Sequence, residues 1–100
     1  MKIQIRPRGM TLTRRQYLRL ERNLDIALAR FGERIERVIV AISDANVAGF
    51  KVCTIEVRIK PQILRVEYSD ADVFLAVDHA TRRVARSVSR AIETGALVRR

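Results

Sequence analysis

Two stretches of the chain carry arginines at a spacing suited to binding phosphates. At about 100° per residue, a helix over Asp72 to Ile92 places His79, Arg82, Arg83, Arg86 and Arg90 on one side. Val73, Val77, Ala80, Val84, Val88 and Ala91 fall on the other. Thr13 to Phe31 repeats the arrangement. Arg15, Arg19, Arg22 and Arg30 face outward, opposite Tyr17, Leu20, Leu24, Ala27, Leu28 and Phe31. The apolar sides are core faces. The outward sides are almost purely cationic, which is an electrostatic footprint for phosphates. The bland alternative is a solvated helix face. Such faces mix signs, because ion pairs one turn apart support a helix and like charges weaken it. Nothing acidic interrupts Arg83, Arg86 and Arg90, and Asp25 and Asp78 lie off the centres of the stripes.

The whole-chain balance agrees. At 100 residues the chain has room for one domain with one modest core, yet its formal net charge is +9. Nucleic acid is the leading partner for such a charge, and an anionic membrane surface comes second. Arginine outnumbers lysine 17 to 3. A GC-rich genome would produce that ratio, so the argument rests on the sign of the charge and not on the choice of arginine.

Other chemistries find little support. Cys53 is the only cysteine, so neither a disulfide framework nor a cysteine-based metal site is available; its place in an alternating strand suits a small buried residue. His79 has no companion ligands, which favours an exposed histidine or an RNA contact over a metal site. Thr11, Thr13 and Ser69 read as turn and cap residues rather than nucleophiles. Asp70, Asp72 and Asp78 cluster where a helix start uses carboxylates. No Gly-rich phosphate loop or histidine–carboxylate set is present. The aromatics Tyr17, Phe31, Phe50, Phe74 and Tyr68 form no evident pair on an exposed strand face, against base stacking of the single-stranded kind. No apolar run approaches a membrane span and no leader opens the chain. The expectation is a soluble cytoplasmic binding protein, not an enzyme, with no metal, no cofactor, no small-molecule substrate and no membrane partner.

The elements that must position the arginines follow from local pattern. Lys2 to Arg6 alternates and is expected to end at Pro7 and Gly9. Thr13 with Gln16 fits a capping box, and Gly32 follows the last apolar helical position. Ile35 to Asp44 is rich in β-branched residues, and Asp44, Asn46 and Gly49 supply turn chemistry. Lys51 to Lys60 puts Cys53, Ile55, Val57 and Ile59 on one face. After Pro61, Ile63 to Tyr68 puts Leu64, Val66 and Tyr68 inward. Ser69 or Asp70 is expected to cap the last helix. The reading is α+β, ordered β-α-β-β-β-α, with a four-stranded sheet and both helices on one face. The first helix connects parallel strands, and the later strands pair as antiparallel hairpins. Residues 1–93 form a single domain in this reading, and 94–100 a frayed basic tail.

Two segments carry a family resemblance. Arg30-Phe31-Gly32-Glu33-Arg34-Ile35-Glu36-Arg37-Val38 resembles the helix-to-strand junction of the ribosome hibernation-promoting factors, also called ribosome-associated inhibitors or sigma-54 modulation proteins. Asp72-Val73-Phe74-Leu75-Ala76-Val77-Asp78 is similar to that family's start of the last helix, usually Asp-Met-Tyr-Ala-Ala-Ile-Asp. Arg83, Arg86 and Arg90 then fall where the family places basic residues. Met1-Lys2-Ile3-Gln4-Ile5, Thr13 and the order of elements also agree. The resemblance implies a fold similar to double-stranded-RNA-binding domains. It also implies binding to the small ribosomal subunit, in the channel of mRNA and the tRNA anticodon stems, which blocks initiation and protects idle ribosomes in stationary phase and stress. Long members add a C-terminal domain, so a chain of this length looks like the short form.

The resulting expectation is a factor that binds small-subunit ribosomal RNA through Arg83, Arg86, Arg90 and Arg82 on one helix and Arg15, Arg19, Arg22 and Arg30 on the other. Phosphate contact along A-form RNA is the role of each. The rival readings are a diverged member acting as a protein-interaction regulator and a generic RNA-binding domain. The first draws on Ile26, which stands in the first stripe where the family commonly has lysine. Oligomeric state is open in all of them.

Overall fold

The computed structural model describes residues 1–94; residues 95–100 of the expected tail lie outside the described residues. The chain runs through β1 (Lys2–Arg8), α1 (Arg14–Leu28), a 3-10 segment (Ala29–Arg34), β2 (Arg37–Asp44), β3 (Lys51–Ile59), β4 (Gln62–Asp70) and α2 (Val73–Glu93). The strands form one sheet in the order β1-β2-β3-β4. β1 and β2 are parallel, and β2–β3 and β3–β4 are antiparallel. A crossover helix is what a parallel pair requires, and α1 supplies it.

Alternation decides which face is covered. Val38, Val40 and Ile42 of β2 and Cys53, Ile55, Val57 and Ile59 of β3 are buried. They join Leu20, Leu24 and Leu28 of α1 and Val77, Val84 and Val88 of α2 in one core. α2 lies over β3 and β4, and α1 packs beside it toward β1. Both helices therefore cover one face, and the other face of the sheet is open.

Caps and breaks set the element ends. The Thr13 hydroxyl accepts from the Gln16 backbone N–H at 3.1 Å, and the Gln16 carboxamide accepts from the Thr13 N–H at 2.9 Å. This is the reciprocal capping box expected from the sequence. α1 stops at Leu28, three residues before the expected Phe31. The chain tightens into 3-10 turns and breaks at Gly32 (φ 54°, ψ −128°), a conformation that favours glycine. Asp72, not Ser69 or Asp70, caps α2, accepting from the N–H groups of Phe74 (2.8 Å) and Leu75 (3.4 Å). Asp70 instead accepts from the Asp72 N–H at 3.0 Å, so one carboxylate orders the turn and the next starts the helix. β1 continues through Pro7 to Arg8, because β1 is an edge strand, where a missing donor is tolerated.

The buried arc of α2 is wider than its apolar stripe, since it also takes in Ala76, Thr81 and Ala85. The helix meets the sheet below and α1 at its side. Thr81 is admitted because its hydroxyl donates to the Val77 carbonyl at 2.6 Å.

Cys53 is fully buried on β3, and burial pushes its thiol from 9.0 up to about 12. The folded protein should resist iodoacetamide at pH 8, whereas denaturant-unfolded protein is alkylated readily. The folded state holds the thiol proton more tightly than the unfolded state does. Its contribution to stability is therefore complete below pH 9.0 and is lost as pH rises from 9.0 toward about 12. Alkylation at equal rates in both states would contradict this burial.

Candidate nucleic-acid interface

The packing of the two helices places the two cationic stripes on one surface. Arg19 of α1 lies over the Phe74 ring at the start of α2, 4.0 Å from its centroid. At the far end Arg30, Phe31 and Arg34 gather beside Ser89, Ile92 and Glu93. The helices thus run in the same sense, side by side, and their outer faces are continuous. Arg82 to Arg90 spans eight residues, or about 12 Å of helix axis.

All eight arginines named from the sequence, Arg15, Arg19, Arg22, Arg30, Arg82, Arg83, Arg86 and Arg90, are exposed. The structure divides them by what holds them. Arg82 is ion-paired with Asp78 one turn earlier. Arg30 lies 4.7 Å over the Phe31 ring, and Arg19 is held over Phe74. Arg83 sits on the flank toward the sheet. Its Nη1 donates to the Glu67 carbonyl of β4 at 3.3 Å, and its guanidinium lies 5.7 Å over Tyr68. Within the described residues, Arg15, Arg22, Arg86 and Arg90 make no intramolecular ion pair or side-chain hydrogen bond. They point to solvent with their donors unspent.

Two features escape the helical wheel because they cross between elements. His79 stacks on Tyr68 of β4, ring centroids 4.6 Å apart and 26° between planes. With Arg83 it fastens α2 to the last strand, so both residues have structural work at the edge of the basic face. Arg34 joins the basic cluster at the C-terminal ends of the helices from the 3-10 segment, where helical periodicity no longer applies. Ile26 is 65% exposed and stands within the stripe of α1.

This arrangement suits an extended anion. Four guanidinium groups unpaired among the described residues, with four more held nearby by aromatic, ionic or backbone contacts, line one broad surface. Among the described residues no group of three His, Cys, Asp or Glu side chains is placed to hold a metal ion. No described helix is long and apolar enough to cross a membrane.

Fold and surface define a small α+β domain that presents two parallel helices, basic side outward, from one face of a four-stranded sheet. No family model matches the sequence, and no curated protein does. Solved structures do match. The N-terminal domain of Protein Y from Thermus thermophilus superposes with a TM-score of 0.76 at 27% identity, over 90% of this chain and 98% of that one. A ribosomal subunit interface protein from Coxiella burnetii shares the fold, with a TM-score of 0.81 at 15% identity, over 93% of this chain and 99% of that one. This likeness agrees with the resemblance of the motifs to the ribosome hibernation-promoting factors.

Proposed function

We propose that this protein is a cytoplasmic ribosome-associated factor. Residues 1–93 act as a single ribosome-binding domain that engages small-subunit ribosomal RNA through the outer faces of α1 and α2. Occupying that site sterically inhibits translation and stabilises idle ribosomes under stress or in stationary phase. The observation that carries this reading is the two-helix surface with Arg15, Arg22, Arg86 and Arg90 unpaired; the likeness to a ribosomal subunit interface protein supports the ribosome as its partner. Arg19, Arg30, Arg82 and Arg83 complete the surface, each partly committed to an intramolecular contact. Each guanidinium binds phosphate, so the complex recognises backbone and shape more than base sequence. The role is binding rather than catalysis.

The test is co-sedimentation with purified small subunits across a salt series. With roughly six to eight phosphates neutralised, log affinity should fall against log salt with a slope of about −5 to −7. Affinity unchanged between low and moderate salt would exclude a phosphate-led mechanism. A second reading rests on Ile26, whose 65% exposure within the stripe suits a protein-interaction regulator that has left the ribosome. That reading requires no co-sedimentation at any salt. A generic RNA binder would hold naked RNA as tightly as assembled subunits.

A further inference from the structure

The open face of the sheet carries a second set of cations that neither the core nor the helices explain. Strand register sets Lys2 of β1 opposite Arg37 of β2, and Arg37 opposite Arg58 of β3. All three side chains share the uncovered face and are exposed. Neighbouring strands are about 4.8 Å apart, and like charges directly opposite one another destabilise a sheet. Among the described residues none of the three is ion-paired. The same face continues with Arg6 and Arg8 along β1 and with Arg65 on β4, against the carboxylates Glu56 and Glu67. Beneath these stems Ile39, Ala41 and Thr54 are half-buried and floor an open depression in the middle of the face.

We infer that this face binds a second RNA segment, along its phosphate backbone, at the same time as the helices bind the first. A row of equal positive charges at regular pitch complements a row of phosphates. An acidic protein surface would pair each cation with its own carboxylate and needs no such row. A lipid surface is disfavoured because, of the described strand residues on this face, only Ile63 is a large apolar residue that stands exposed, which is too little to insert. The protein is thin between its two broad faces, with a smallest Cα dimension of 17 Å. Cations on both sides let it sit between two RNA walls as a spacer. The inference rests on the helix-face reading above, and it can fail while that reading stands.

The test uses the full chain and two samples of one 16-base-pair RNA duplex, labelled with a donor or an acceptor fluorophore. Wild type should bring two duplexes into one complex, read as energy transfer and as one chain with two duplexes in sedimentation velocity. Arg37→Thr with Arg58→Thr should lose energy transfer but keep one duplex. Its salt slope for the second duplex should shrink in magnitude by about two, equivalent to roughly thirtyfold weaker binding near 0.15 M salt. Threonine suits strands and removes the repulsion, so melting should be unchanged or higher. If that variant fails to fold, Lys2→Gln at the exposed start of β1 carries the test, with a slope change of about one. Saturation of wild type at one duplex overturns the inference, as does undiminished energy transfer in the folded threonine variant. Binding of phosphatidylserine vesicles in place of the second duplex overturns it too. If instead Arg86→Glu with Arg90→Glu leaves binding untouched while the threonine variant loses it all, RNA binds the sheet face alone, and the helix-face reading fails together with the inference of two simultaneous RNA segments.

Discussion

Arg86→Glu with Arg90→Glu should abolish ribosome binding and leave the domain folded. Both side chains lie on the outer face of α2, exposed and without an intramolecular partner among the described residues. Surface changes of this kind usually alter stability by less than about 0.5 kcal/mol, and here they also relieve like-charge crowding along the helix. The effect on binding is of another order. Counterion release contributes about 0.9 log units per phosphate contact per decade of salt. Removing two contacts near 0.15 M salt therefore weakens binding roughly thirtyfold, and reversing the charges extends the loss beyond about a hundredfold. Circular dichroism melting beside co-sedimentation with small subunits reads both halves. Undiminished co-sedimentation would remove α2 from the binding surface. Arg83 is a poorer choice for this experiment. Its bond to the Glu67 carbonyl and its place over Tyr68 mix a packing role with any RNA contact, so Arg83→Glu should lower the melting temperature where Arg86→Glu does not.

Leu24→Ala should have the largest effect on stability while changing no charge. Leu24 is completely buried, in the middle of the inward stripe of α1 and part of the single core. Truncating a buried leucine removes transfer free energy and leaves a cavity, at a cost of about 2–5 kcal/mol. A domain of this size has a total stability of about 5–15 kcal/mol, and each kcal/mol shifts Tm by about 4–8 °C. A drop of at least about 10 °C is expected. Because α1 carries Arg15, Arg19 and Arg22, the variant should bind ribosomes as wild type does below its melting transition and lose them above it. A fall in Tm of only a few degrees would show that α1 is loosely docked and that its stripe is not held in a fixed place.

The element order and the direction of each face were legible in the sequence for a simple reason. Helices and strands have fixed periods, so a residue's spacing from its neighbours decides which side it occupies. Val77, Val84 and Val88 had to face one way and Arg82, Arg86 and Arg90 the other, whatever the helix packed against. Cys53, Ile55 and Val57 likewise had to share a face of β3. The Thr13–Gln16 cap was legible because it is a contact between residues three apart. What pairs across elements was not. The stack of His79 on Tyr68, the hold of Arg83 on Glu67 and the seat of Arg19 over Phe74 depend on how α2 crosses β4 and meets α1. Local spacing carries no information on that. The row of Lys2, Arg37 and Arg58 is the clearest case. Each is an ordinary outward residue of its own strand, separated from the next by 35 and 21 positions in the chain. Only strand order and register, which arise when three distant segments bury their apolar sides together, set the three charges side by side.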